Sequence, residues 1–346
     1  MSLRSLIASL LCLALAAAGC GGAGGGGDGG PITLRVAESF PQKHVIARTL
    51  SQRFMRNVEK ASGGRIRFDY FPGEQLGKAA DLIDLVKGGV ADIGYMAPQY
   101  ASEAMPLGGV IGLPGVYPDA AAGAPAYYAL VTGRLYQEEI RKDGLFPLFS
   151  FVTGEYQVTT ARRRVTEPAA MRGLRVRTTA GYMEMTAKRF DAVPVSLAAP
   201  EMYQAMERGT IDSALISAES IKPYGLDTIL RYITTNLSLG GFGAFYAIND
   251  RSWRRLPPDL RKIMIEEGRK VSVDSGRVLT EEKRRVLQEF QKKGIALTTV
   301  PAQEKARFDR VSGEIQRAWA EDMNGRGLPG DAILAELHRL VRSGGA

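Results

Sequence analysis

Between Arg172 and Asp212 the chain alternates short apolar runs with segments of helical spacing, and this alternation restricts the fold more than any other feature. The runs are Leu174-Arg175-Val176-Arg177, then Ala192-Val193-Pro194-Val195-Ser196, then Thr210 to Leu215; Gly181 to Phe190 and Pro200 to Glu207 stand between them with helical spacing. Strands alternating with helices pair in parallel, because a parallel neighbour needs a crossover long enough to hold a helix. The same order occurs earlier: strand Ile32 to Ala37, helix His44 to Ala61, strand Ile66 to Phe71, helix Ala79 to Val86, strand Asp92 to Met96. In both halves a helix closes on glycine and a strand with an early aspartate follows, Gly89-Val90-Ala91-Asp92-Ile93 beside Gly209-Thr210-Ile211-Asp212-Ser213. At 346 residues the chain is too long for one typical core. The expectation is an α/β fold of two similar lobes with a cleft between them.

Ligands of open α/β sheets bind in the crevice beyond the carboxyl ends of the strands. Arg177 ends such a strand, and its planar guanidinium can hold a carboxylate through two parallel hydrogen bonds. Phe40, Tyr95, Met96 and Phe242 also follow strand ends, where each lines either the pocket or the core. Leu145 to Val152 and Phe242 to Asn249 are apolar and rich in phenylalanine, as crossings buried on both faces should be. Pro257-Pro258-Asp259 starts a helix well; the charged region from there to Lys293 predicts one long helix, or two broken near Gly276.

The amino terminus reads as an export signal. One positive charge, Arg4, precedes an apolar run from Leu6 to Leu15, too short to span a membrane, and Ala16-Ala17-Ala18-Gly19 precedes Cys20. Small residues directly before a cysteine resemble a bacterial lipobox, which makes residues 1–19 a signal and Cys20 a lipidated first residue. Gly21 to Gly30 holds glycine at eight of ten positions, so residues 20–31 read as anchor and unstructured tether. The two cysteines are Cys12 and Cys20, which leaves the mature body no thiol for a disulfide. The formal charge of +8 suits an anionic partner, and export makes nucleic acid an unsuitable one.

Catalytic patterns are missing. His44 and His338 are the two histidines, too far apart in sequence for a zinc-binding helix motif. No nucleophile elbow or Ser-x-x-Lys occurs. Gly73-Glu74-Gln75-Leu76-Gly77-Lys78 has three residues between its glycines where a phosphate loop has four. The reading is a binder without cofactor or metal, not an enzyme.

Several segments, in order and spacing, resemble the solute-binding proteins of tripartite ATP-independent periplasmic (TRAP) transporters, in their dicarboxylate-binding (DctP) branch. They are Ser62-Gly63-Gly64-Arg65-Ile66, Gln75-Leu76-Gly77, Val86 to Ile93, Gly173-Leu174-Arg175-Val176-Arg177 and Ile248 to Pro257. The likeness runs from about Leu34 to about Leu337. It implies a two-lobed, class II periplasmic-binding-protein fold with long C-terminal helices. Lobe I is expected over 32–152 with about 243–270 and 310–346, and lobe II over 153–242 with about 280–309. The resemblance implies capture of a small carboxylate, delivery to a membrane permease, and a salt bridge from Arg177 to the ligand. Many members carry a second arginine where this chain has Tyr156 or Gln157, so a monocarboxylate finished by neutral donors from Tyr156, Gln157 or Ser217 is expected over a dicarboxylate. The polar residue that often follows the next strand falls among Ile216, Ser217 and Glu219, and Ile216 predicts a less polar wall. An ATP-driven importer or a sensor kinase is the alternative destination for the ligand.

Overall fold

The computed structural model of the protein describes residues 30–345; the signal segment, Cys20 and the glycines through Gly29 lie outside them. Eleven strands are present among the described residues: β1 (Ile32–Ala37), β2 (Ile66–Phe71), β3 (Ile93–Met96), β4 (Leu145–Val152), β5 (Gln157–Thr160), β6 (Arg175–Thr178), β7 (Val193–Ser196), β8 (Ser213–Ile216), β9 (Tyr232–Thr234), β10 (Gly243–Asn249) and β11 (Ala296–Thr298). They form two sheets, ordered β2-β1-β3-β10-β4 and β11-β9-β5-β8-β6-β7. The sequentially alternating strands pair in parallel, β1 with β2 and β3, and β6 with β7 and β8.

The two early aspartates do the same work in each sheet. Asp92 Oδ2 accepts from Arg35 N at 2.8 Å while Asp92 N donates to Arg35 O at 2.9 Å. Asp212 Oδ1 accepts from Arg175 N at 3.0 Å while Asp212 N donates to Arg175 O at 3.0 Å. Each carboxylate thus fixes the entry of one parallel strand against its neighbour, which explains why the motif occurs in both halves.

The two phenylalanine-rich segments are not crossings. They pair antiparallel as β4 and β10 inside the first sheet, and their aromatic content reflects burial there. The passage between sheets falls beyond their ends, where Thr153 N donates to Phe242 O at 2.8 Å and Tyr156 N to Gly240 O at 2.9 Å. The third link is one unbroken helix of 35 residues, Pro258–Lys292. Leu279 on it joins the larger core, which centres on the first sheet and reaches Val176 and Phe190, while Val286 and Phe290 join a smaller core on the second sheet. Gly268 and Gly276 mark close approach, not a break: a Cβ on Gly268 would meet Leu148 O at 2.0 Å, and one on Gly276 would meet Ala120 O at 2.4 Å. No helix of the described residues is long and apolar enough to cross a membrane.

Candidate functional site

Side chains alternate across a strand, so in β6 Val176 enters the apolar core while Arg177 turns to the opposite side, between Val195 of β7 and Ala214 of β8. There it is 1% exposed. Nε donates to Leu197 O at 2.9 Å, Nη1 to Leu215 O at 3.4 Å and Nη2 to the Tyr100 hydroxyl at 3.1 Å. A guanidinium has five N–H groups; Tyr156 also bonds it, and the N–H groups not held by Leu197, Leu215 and Tyr100 are those that a carboxylate can take, in place of Tyr156 where it needs both. Burial works to lower the arginine's pKa, but the phenols of Tyr100 and Tyr156 turned toward it outweigh that and hold it above the ordinary value. Among the described residues no carboxylate lies within 4.0 Å of it. A buried cation without a counter-charge is costly unless an anion joins it.

The small cavity in front of Arg177 is walled by aromatic rings from both sheets. Tyr95 stacks 6.3 Å from Phe242, Phe40 stands edge-on to Tyr95 at 5.3 Å, and Tyr100 lies 5.3 Å from Phe242. Tyr156, Tyr224 and Ile216 close the far side, with hydroxyls from Ser39, Thr153 and Ser220. Burial raises the pKa of Tyr95, Tyr156 and Tyr224, which keeps their hydroxyls neutral and able to donate. The enclosed space is about 20 Å³, room for a water molecule and for no organic acid. A ligand enters only when these walls part.

Six expected residues therefore meet here: Arg177, Tyr156, Tyr95, Phe40, Ile216 and Phe242. Four others do not line this cavity. The Gln157 amide is consumed inside the second sheet, donating to Leu237 O and accepting from Thr234 Oγ1 at 3.0 Å and Leu237 N at 3.1 Å. Met96 alternates away from Tyr95 into the core. The Ser217 hydroxyl bonds Ser220 Oγ at 3.1 Å. Glu219 is fully buried and takes Gly154 N on Oε1 at 2.7 Å, and burial raises its pKa. It braces the crossing at Gly154. Sequence reasoning missed Ser39, Tyr100, Thr153, Ala199, Ser220 and Tyr224. All follow the carboxyl end of a strand, and the rule that singled out Arg177 applies to each of them.

A larger crevice of about 440 Å³ lies by Tyr182, Trp319, Asp322 and Arg326. Its charges already have partners: Tyr182 Oη donates to Asp322 at 2.6 Å, and Arg326 lies 3.9 Å from Glu103. It presents no buried cation comparable to Arg177, so size does not make it the better site. No cluster of metal-ligating side chains occurs among the described residues.

Comparison with known proteins places this geometry in a family. A TRAP solute-binding protein from Rhodoferax ferrireducens T118, solved with copurified benzoate, is 28% identical and superposes with a TM-score of 0.84 over 90% of this chain and 98% of that one. A TRAP periplasmic solute-binding protein from Bordetella bronchiseptica with bound (R)- and (S)-mandelate shares the fold at 21% identity, TM-score 0.82, covering 90% of this chain and 99% of that one. The C4-dicarboxylate-binding protein DctB of Bacillus subtilis is 24% identical over 235 residues, 66% of each protein. Residues 36–322 match the bacterial extracellular solute-binding protein family 7, and the chain belongs to that family, DctP, as a TRAP solute-binding protein with its two-lobed fold.

Proposed function

We propose that this protein captures a small monocarboxylate with a flat, largely apolar remainder, an aromatic acid above all, and delivers it to a TRAP membrane permease. The observation that carries the reading is Arg177, a buried cation at the cavity with two N–H groups not held by Leu197, Leu215 or Tyr100 and no counter-charge among the described residues. The rings of Phe40, Tyr95, Tyr156, Tyr224 and Phe242 around it suit a planar apolar body. The benzoate held by the Rhodoferax ferrireducens relative is an acid of this kind. One positive group serves one carboxylate; a second would enter a dry cavity without a partner. Lobe I, built on the first sheet, and lobe II, built on the second, close over the ligand. Cys20, once lipidated, holds the protein at the membrane surface beside its permease.

A thermal-shift screen of benzoate, mandelate, hydroxybenzoates, succinate, malate and fumarate tests the reading. A ligand at a hundred times its dissociation constant stabilises the folded state by roughly 2.7 kcal/mol, so an aromatic monoacid should raise the unfolding midpoint by several degrees. Stabilisation by succinate with none from any monoacid would overturn it.

A further inference from the structure

We propose that Tyr100 is the residue through which a bound carboxylate holds the two lobes together, by donating its hydroxyl proton to the ligand while its oxygen is gripped from the opposite lobe. The proposal rests on the reading that Arg177 receives a carboxylate. Tyr100 ends the turn Pro98–Tyr100 that leaves β3, so it belongs to the first sheet. Its hydroxyl oxygen nevertheless accepts from Arg177 Nη2 at 3.1 Å and from Ala199 N at 3.1 Å; Arg177 lies in β6 and Ala199 follows β7, both of the second sheet. These two contacts fill the acceptor capacity of a phenol and leave its proton. Among the described residues no acceptor is placed to take that proton.

The consequence is a convergence of donors. The Tyr100 O–H stands beside the Arg177 guanidinium, at a cavity that both residues line together with Tyr156. Donors from Arg177 and Tyr100 at one cavity call for a group that only accepts, and an ionised carboxylate is the organic group that does so with two oxygens. A hydroxyl whose oxygen is polarised by a guanidinium is also a stronger donor than a free phenol, because hydrogen bonds in a chain reinforce one another. Opening the lobes would break both contacts to the Tyr100 oxygen. A ligand that adds a third bond to the same hydroxyl therefore resists opening, and its departure loosens all three.

Tyr100→Phe is the direct test, since it keeps the ring against Phe242 and removes only the hydroxyl. Binding and stopped-flow release are measured with whichever acid of the screen shifts the wild type most, benzoate being the first probe, on wild type, Tyr100→Phe and Arg177→Ala. The expected result for Tyr100→Phe is an affinity loss of tenfold or more, carried by faster release with the association rate within about twofold, and an unliganded circular dichroism spectrum like that of wild type. Affinity within twofold of wild type, tighter binding, or a loss carried wholly by slower association overturns the proposal for Tyr100. If Arg177→Ala also binds normally, the carboxylate reading itself falls. If Arg177→Ala abolishes binding while Tyr100→Phe retains it, only the Tyr100 proposal falls. A screen in which no acid binds the wild type overturns both.

Discussion

Truncating Arg177 is the perturbation on which most of the argument depends. In Arg177→Ala the ligand loses two charge-assisted hydrogen bonds, each worth about 1.5–3 kcal/mol. Water entering the vacated volume recovers part of that, so a net loss on the order of 2–5 kcal/mol is expected. At about 1.4 kcal/mol per decade this is roughly thirty-fold to a few thousand-fold in affinity. The unliganded protein loses hydrogen bonds to Leu197 O, Leu215 O and Tyr100, but it is also relieved of a buried, unpaired charge, and these effects oppose each other. The backbone register of β6 with β7 and β8 does not involve the side chain, so the fold is expected to survive. Titration calorimetry with the best monocarboxylate of the screen measures the first quantity and urea unfolding the second. Arg177→Lys refines the argument: it keeps the charge and loses the fork, and it should lose most of the affinity. Binding by Arg177→Ala within twofold of wild type, with the fold intact, would refute the reasoning.

Gly268→Ala separates helix propensity from close approach. An alanine in mid-helix normally gains up to about 1 kcal/mol over glycine, whereas here its Cβ would meet the Leu148 carbonyl oxygen at 2.0 Å; a net destabilisation of about 1–3 kcal/mol is expected, and a raised urea midpoint would contradict it. His44 gives a pH test, because burial lowers its pKa to about 3 and its Nδ1 already accepts from Ile46 N at 3.1 Å. A base depressed in the folded state contributes stability above its unfolded pKa near 6.5, and loses it as pH falls toward 3. Between about pH 6.5 and pH 5 the wild type should therefore lose about 2 kcal/mol more than His44→Asn, and parallel urea midpoints for the two proteins across that range would count against this account.

The strands were legible because their signals are local. β1, β2 and β4 appear with the expected bounds, since period-two or continuous apolar runs bounded by turn residues need no tertiary information. The paired aspartates were visible as a repeat, but their purpose was not: a carboxylate capping a backbone N–H 57 residues away at Arg35 leaves no trace in spacing. The glycine at 276 was ambiguous for a related reason, because the surface that requires it belongs to Ala120 and Ala121. The site divided in the same way. Arg177 and Tyr95 lie at strand ends that periodicity locates, whereas Tyr100, Ser220 and Tyr224 belong to single helical turns whose direction is fixed by packing. Gln157 was singled out by its proximity to the expected second arginine, and only the hydrogen bonds to Thr234 and Leu237 show that its amide is used within the sheet.

That last distinction yields a change of specificity. The resemblance to the family put a second arginine at Tyr156 or Gln157, and only Tyr156 lines the cavity. Two carboxylates stand behind it. Glu219 is fully buried with Oε2 lacking a protein partner, and Glu155, also buried, pairs with Lys283. Glu155 is offset by Lys283, so Glu219 is the carboxylate that opposes a second negative charge on the ligand when ionised, in keeping with the proposed preference for monoacids. Tyr156→Arg would place a guanidinium next to Arg177, a repulsion that Glu219 offsets in part and that a dicarboxylate relieves. The variant should bind succinate measurably and the aromatic monoacid at least tenfold more weakly than wild type does. Gln157→Arg, by contrast, removes the amide partners of Leu237 N and Leu237 O inside the protein, at a cost of about 1–3 kcal/mol for each unsatisfied buried group, and should lower stability without admitting succinate. Calorimetry of both variants with both acids decides the matter. A stable Tyr156→Arg protein that still ignores succinate, or a Gln157→Arg protein that accepts it, would mean that the charge balance around Tyr156 does not set the number of carboxylates on the ligand.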